Sequence, residues 1–189
     1  MDTLAPERIA QLLTGRLGRP YRYVESCAST QRELTATDAE GTVVAAEHQT
    51  EGRGRFGRSW EDAPGTALLF SVLLIPPVAI ERLPELTVLA AEAVAEAVGP
   101  DATVKEPNDV LLAGRKVAGV LGEAGEGRVV LGIGVNANQT AAQLPPAPRL
   151  PATSLRLERG APVDRAELLA AILGALERRY DAWLSGSGT

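Results

Sequence analysis

The sequence predicts an α+β domain whose sheet is mixed and largely antiparallel and is flanked by helices. Three observations point there. Apolar segments of strand length follow one another across short turn signals, Ala113-Gly114 and Gly125-Glu126-Gly127, as strands in hairpins do. Helical periodicity is confined to single segments inserted between strands, so the chain is not a regular βαβ repeat. No glycine fingerprint of a doubly wound dinucleotide fold follows a strand. With 189 residues, 45% of them hydrophobic, the chain suits one domain over 1–189 with a sizeable core.

The elements follow in order. Ile9, Leu12, Leu13 and Leu17 recur at helical spacing, which predicts an amphipathic helix from Pro6 to Leu17, ended by the Gly15–Gly18 region. Tyr21 to Val24 reads as a short strand. Thr30-x-x-Glu33 has the form of a capping box and predicts a second short helix. Thr42 to Glu47 is a strand, Glu51 to Ser59 a glycine- and arginine-rich loop, and Thr66 to Ile75 a long buried strand. Pro84 opens a helix through Val98 that turns Leu86, Leu89, Ala90, Ala93, Val94 and Ala97 inward. Thr103–Glu106, Val110–Leu112, Lys116–Glu123 and Val129–Val135 are strands, with Pro107-Asn108-Asp109 a turn between the first two. Ala137 to Ala152 is a proline-rich loop. Asp164 caps a last helix through Leu184, and Ser185 to Thr189 is a frayed tail.

Composition excludes several classes. The longest apolar run, Ala67 to Pro77, is far short of the ~20 residues of a membrane span. Met1-Asp2-Thr3 lacks the basic and apolar regions of an export signal, so a cytoplasmic location is expected. One cysteine, Cys27, rules out an internal disulfide framework or a multi-cysteine zinc site. A net charge of −5 argues against a nucleic-acid partner.

Chemistry concentrates in the rare residues. Seventeen arginines stand against two lysines, Lys105 and Lys116, and Asn108 lies between those two. The stretch Glu51-Gly52-Arg53-Gly54-Arg55-Phe56-Gly57-Arg58-Ser59-Trp60 combines three glycines, which let backbone approach a ligand, with three guanidinium groups suited to phosphate oxygens. It is neither a Walker loop nor a Rossmann turn. A solvated basic turn or an RNA-binding segment has the same composition, and the acidic balance of the chain counts against the second. Alternation along Lys116–Glu123 places Lys116, Ala118, Val120 and Gly122 on one face and Val117, Gly119 and Leu121 on the other. Lysine among small residues on a strand face fits room left for a bound molecule. Gly132-Ile133-Gly134-Val135-Asn136 repeats the device.

Taken in order, Ser29-Thr30-Gln31, Glu47-His48-Gln49, the arginine-glycine loop through Trp60, Lys105-Glu106-Pro107-Asn108-Asp109, Arg115-Lys116-Val117-Ala118-Gly119 and Gly132–Asn136 resemble the biotin protein ligase family. The resemblance runs from about residue 22 to 180. Each motif is weak or moderate alone; six in order are specific. Lipoate-attachment enzymes share the fold, a biotin/lipoate ligase-like catalytic domain, but lack this loop.

The resemblance implies a ligase that activates biotin with ATP to biotinyl-5′-AMP and transfers biotin to a lysine of a biotin carboxyl carrier domain. Ser29, Thr30 and Gln49 would hydrogen-bond the neutral ureido ring. Gly52, Arg53, Gly54, Arg55 and Gly119 would line the substrate, with Arg53 and Arg55 closing over the adenylate. Lys116 would sit by the biotin carboxylate and α-phosphate, stabilising the charged transition state together with Arg55. Lys105 would neutralise the triphosphate. Asn108, Trp60 and Asn136 would serve the nucleotide, and Asp109 would help to hold Mg²⁺. No side-chain nucleophile is required, so His48 and Cys27 are expected to be structural. Two copies could pair through sheet edges, which no feature of the sequence requires.

Two departures from the family pattern stand out. Glu106 occupies a position where the family usually has Trp, and its carboxylate could pair with Lys105 or repel phosphate. Within the 189 residues there is no N-terminal helix-turn-helix domain and no small C-terminal β-barrel. A lipoate or octanoate ligase of the same fold, and a vestigial biotin-binding module with weak transfer, are the alternatives these features leave open.

Overall fold

The computed structural model describes residues 3–146 and 150–186; the end of the tail and part of the proline-rich loop lie outside them. Seven strands form one sheet: β1 (Tyr21–Cys27), β2 (Val43–Gln49), β3 (Leu68–Leu74), β4 (Ala102–Lys105), β5 (Asp109–Leu112), β6 (Arg115–Gly125) and β7 (Arg128–Val135). Their order is β1-β2-β3-β7-β6-β5-β4, with β1 and β2 parallel and every other pair antiparallel. The predicted class is therefore the observed one. The two hairpin turns behave as their sequences require, with positive φ at Ala113, Gly114, Glu126 and Gly127.

One face of the sheet is covered by α2 (Glu85–Val98) and α4 (Arg165–Leu184), and α1 (Pro6–Leu12) packs on α4. Val43, Ala45, Phe70, Val72, Leu131, Ile133, Ala118 and Val120 meet Leu86, Ala90, Val94, Leu169, Ile172 and Leu176 in the main core. All seven residues of β3 are buried, so its second face is covered as well. That second face carries the site.

The structure corrects several sequence expectations. The first helix stops at Leu12 rather than Leu17, with Leu13 extended. Residues 15–17 leave the helix because they receive the Glu177 carboxylate: Arg16 N and Leu17 N donate to Glu177 Oε2 at 2.8 and 2.9 Å, and a Cβ on Gly15 would lie 2.3 Å from that oxygen. No second helix follows Thr30. Its hydroxyl turns down to Ser71 and its backbone N–H donates to Gln49 Oε1 at 2.7 Å, so it caps nothing, and the chain runs through turns closed by Ser29 O and Gln31 O. β1 continues to Cys27, three residues past the expected end, because it pairs with β2 along its length. The proline-rich segment contains a 3₁₀ turn at Ala141–Gln143 and ends in a short helix that was not expected, α3 (Leu155–Arg159). The signals for α3 were local: Ser154 Oγ accepts from Leu157 N at 3.2 Å, and Gly160 stops the helix at φ 73°.

Candidate active site

A cleft of about 430 Å³, counting its mouth, opens on the sheet face opposite the main core. Its floor spans three strands and is opened by glycines on the central one. Gly132 of β7 lies between Ser71 of β3 and Leu121 of β6, and Gly134 between Leu69 and Gly119. Side chains occupy the space the glycines leave. A Cβ on Gly132 would fall 2.7 Å from Gln31 Cδ, and one on Gly134 2.6 Å from Trp60 Cε2. The glycines are therefore required by close approach, not by backbone conformation.

One end of the cleft is neutral. Thr30 Oγ1 meets Ser71 Oγ at 2.7 Å and donates to Gln49 Oε1 at 3.1 Å, and Gln31 Nε2 donates to Leu121 O at 3.2 Å. Ser29, Thr30 and Gln31 are buried here, and Ser29, Thr30 and Gln49 line the same wall. Ser71 and Gln31 were not among the predicted site residues. Ser71 could have been noticed as the polar interruption in an otherwise apolar strand.

The other end is charged. Lys116 Nζ pairs with Asp109 Oδ1 at 2.6 Å, Asn108 Nδ2 contacts the same oxygen at 3.4 Å, and Arg55 Nη1 donates to Asn108 Oδ1 at 3.0 Å. The ammonium also lies 5.7 Å from the centre of the Trp60 ring.

Here the face assigned to Lys116 must be corrected. Val110 pairs with Ala118 but Leu111 pairs with Lys116, so Val117 is the extra residue of a β-bulge. The bulge breaks the alternation. Ala118 and Val120 point into the main core, whereas Lys116 joins Gly119 on the cleft side, its Nζ 3.3 Å from where a Gly119 Cβ would stand. Gly122 faces α2, where a Cβ would meet Thr87 Oγ1 at 2.3 Å. The Lys116 backbone is clamped as well: its N donates to Pro151 O at 2.8 Å, and Thr153 N donates to its O at 2.9 Å.

The arginine-glycine loop roofs the cleft. Arg53 and Ser59 form an antiparallel bridge, Trp60 N donates to Gly52 O at 2.9 Å, and Gly52 is hemmed in so that a Cβ would sit 2.4 Å from Trp60 O. Arg53 and Gly54 both line the cleft. Arg53 Nη2 is drawn to Glu123 Oε2 at 2.7 Å, seven positions along β6 from Lys116 and roughly 20 Å away at strand rise, so the Arg53 guanidinium sits toward the neutral end. Glu123 is a further partner the sequence pattern did not single out. Arg53 Nε and Trp60 Nε1 are buried without an acceptor. Such donors cost free energy until an acceptor arrives, which suits a cleft built for a polar ligand.

Two predicted site residues, Lys105 and Asn136, stand apart, as do His48 and Cys27, which were expected to be structural. Lys105 is exposed at the end of β4, directly opposite Asp109 in the β4–β5 register, next to exposed Glu106. Asn136 is buried, and its side chain is occupied: Nδ2 donates to Thr153 O at 3.0 Å and Oδ1 accepts from Gln139 Nε2 at 3.2 Å. It fixes the 153–155 segment that clamps Lys116. His48 Nδ1 meets Asp62 Oδ2 at 2.9 Å, outside the cleft lining, and ties the far end of the loop to β2. The Cys27 thiol is pushed up to about 11, first by burial and then by the Glu33 and Asp62 carboxylates, so it is no nucleophile near neutral pH. Among the described residues no three His, Cys, Asp or Glu side chains are grouped to hold a metal ion, and none of the helices is long and apolar enough to cross a membrane.

The chain is similar to known proteins. The bifunctional ligase/repressor BirA of Bacillus spizizenii is 38% identical over 187 residues, covering 92% of this chain and 58% of its own length. A biotin–[acetyl-CoA-carboxylase] ligase of Mycobacterium tuberculosis is 37% identical over 161 residues, covering 80% of this chain and 59% of its own. The chain thus spans somewhat under three-fifths of these relatives. Among solved structures, the biotin protein ligase of Aquifex aeolicus in complex with biotin and ATP superposes with a TM-score of 0.75 at 33% identity, over 88% of this chain and 72% of that one. Residues 23–139, from β1 through the cleft to the end of the glycine ladder, match the model of the biotin/lipoate A/B protein ligase family, and the chain belongs to that family.

Proposed function

We propose that the chain is an ATP-dependent ligase that activates biotin to biotinyl-5′-AMP and transfers it to a lysine of a biotin carboxyl carrier domain. The observation that carries this reading is the polarity of one cleft: hydroxyl and amide groups of Ser29, Thr30 and Gln49 line one end, backed by buried Ser71, and Arg55 and Asn108 line the other, linked to the Lys116–Asp109 pair. A ligand with a neutral hydrogen-bonding head and an anionic tail fits it in one direction only. Relatives named as biotin ligases, and a structural neighbour holding biotin and ATP, support the choice of biotin and ATP.

In the first step a biotin carboxylate oxygen attacks the α-phosphorus of ATP and pyrophosphate leaves. Lys116 exchanges Asp109 for the two anions, reducing their repulsion and stabilising charge on the pentavalent phosphorus. Arg55 covers the phosphate from the loop, and Trp60 excludes water from the anhydride. In the second step the carrier amine attacks the acyl carbon, AMP leaves, and the amine loses a proton. The chain's contribution is position and charge, without a covalent enzyme intermediate.

Lys105 and Asn108 serve the polyphosphate, and Arg53 reaches it only by leaving Glu123. Once Lys116 has turned from Asp109 to the anions, the Asp109 carboxylate would be free to help hold a Mg²⁺ brought in on ATP, an ion satisfied by one or two carboxylates plus phosphates and water. That ion would supply charge neutralisation of the pyrophosphate.

The test is direct. Incubation with biotin, ATP and Mg²⁺ yields biotinyl-AMP detectable by mass spectrometry, and adding a carrier domain shifts that domain by one biotinyl group. Absence of both products overturns the reading. Displacement of biotin by an equal concentration of lipoate would instead favour the lipoate or octanoate ligase.

A further inference from the structure

The tip of the arginine-glycine loop holds a residue that local physics disfavours. Phe56 has φ 60° and ψ 37°, and Gly57 follows at φ 71°, the left-handed pair of a type I′ turn. Gly54 N donates to Arg58 O at 2.7 Å, and the next pair outward is Arg53 with Ser59, so the tip is a tight hairpin. Asn, Asp or Gly suits the first turn position, whereas a bulky aromatic there is an outlier. Burial does not compensate, because Phe56 is 83% exposed.

What the ring touches is cationic. The guanidinium carbon of Arg55 is 4.8 Å from the ring centre and that of Arg58 is 5.8 Å away. Arg55 also lines the cleft and donates to Asn108 Oδ1, at the charged end. A long arginine on an exposed loop has many rotamers to lose, and a ring face on one side with a fixed acceptor on the other removes most of them.

We propose that Phe56 is a positioning residue for ligation: held by its left-handed backbone, its ring is the platform that directs the Arg55 guanidinium into the charged end of the cleft. The proposal rests on the functional reading above. It makes the disfavoured turn residue intelligible, since Asn in its place would improve the turn and remove the platform.

That opposition is the experiment. Phe56→Asn, Phe56→Leu and Phe56→Tyr are compared for thermal midpoint, for escape of biotinyl-AMP from the preloaded chain, and for the Arg55 side-chain resonances of the ligand-free chain. The platform predicts that Phe56→Asn keeps or raises the midpoint yet releases the adenylate about two- to five-fold faster, the worth of one exposed cation–π contact. Phe56→Leu releases it equally fast, and Phe56→Tyr restores retention. Ring-current displacement of Arg55 is expected in the wild type and Phe56→Tyr and lost in the other two. Retention in Phe56→Asn equal to wild type, or an undisplaced Arg55 resonance in the wild type, overturns the proposal. A wild-type chain that makes no adenylate overturns the functional reading instead, and the resonances still decide where Arg55 lies.

Discussion

Gly134→Ala tests the cleft floor with a single methyl group. That methyl would stand 2.6 Å from Trp60 Cε2, 2.7 Å from Cζ2 and 3.1 Å from Cδ2. Carbon atoms pack at about 3.5–4.0 Å, so the indole must withdraw by roughly 1 Å. The Trp60 backbone cannot withdraw alone, because its main-chain N–H donates to Gly52 O and Gly52 is pressed against the Trp60 carbonyl. The roof therefore moves with it. Forcing a methyl into a packed, rigid contact costs about 1–3 kcal/mol. Charged wholly to the ligand-binding arrangement, that is a loss of about 5- to 150-fold in biotin affinity. Gly132→Ala is the internal control: its methyl meets Cδ and Cγ of Gln31 at 2.7 and 2.9 Å, the far part of a flexible chain that can rotate away. Its loss should be smaller. Calorimetric titration with biotin measures both, and urea unfolding separates a weakened fold from a weakened site. Wild-type affinity in Gly134→Ala, or a larger loss in Gly132→Ala, refutes the argument that Trp60 is the rigid wall.

Four further outcomes are expected. Lys116→Arg should slow pyrophosphate release at least about ten-fold, since a planar guanidinium does not fit where Cε and Nζ already lie 3.3 Å from the Gly119 Cβ position, and an unchanged rate would contradict the role given to the ammonium. Arg55→Gly should release biotinyl-AMP into solution and label bystander lysines; continued retention would remove Arg55 from the site. The Cys27 thiol should alkylate slowly at neutral pH, with a rate climbing about ten-fold per pH unit until near its raised value of about 11, so a plateau below pH 9 would show an exposed thiol. Asp38 is held well below the usual carboxylate range, chiefly by Arg22 and then by the Thr35 N–H and hydroxyl. A depressed folded-state value stabilises above the unfolded value, about 3.9, and the benefit fades as pH falls below it; the urea midpoint of Asp38→Asn should therefore lie under that of the wild type at pH 7 and converge with it in acid.

The hairpins, the two long helices and the buried β3 were legible because each is decided locally, by turn residues, by a cap such as Asp164, or by an unbroken apolar run. The helix expected at Thr30 failed for a reason that lies elsewhere in the chain. A capping box presumes that the hydroxyl has no better partner, and Ser71 and Gln49, 41 and 19 residues away, supply one. The same is true at Leu13, where Glu177, at the other end of the sequence, competes for amides that helix continuation would have used. Polar partners brought by the sheet outweighed local propensity at both places, and the first of them is part of the candidate site.

Lys116 shows how a residue can be identified by composition while its geometry stays hidden. Its rarity marked it, yet strict alternation sends it toward the core with Ala118 and Val120. No residue type in Arg115–Gly119 signals the extra residue at Val117, because a bulge is a property of the pairing with β5, not of β6 alone. Two neighbours impose that pairing. Asn136 N donates to Val117 O at 2.8 Å from the end of β7, and Pro151 and Thr153 take the Lys116 backbone from the other side. Asn136 holds Thr153 O through its side chain, so a residue with its own amide fully occupied still bears on where the ammonium points. Without the bulge, the lysine would enter an apolar layer lacking a carboxylate, and Gly119 would make room for Trp60 Cζ3 alone, 3.1 Å from its Cβ position. With it, Lys116 meets Asp109, Trp60 and the open floor of the cleft at once. The placement of charge that the proposed ligation requires thus depends on one irregularity in an otherwise regular sheet.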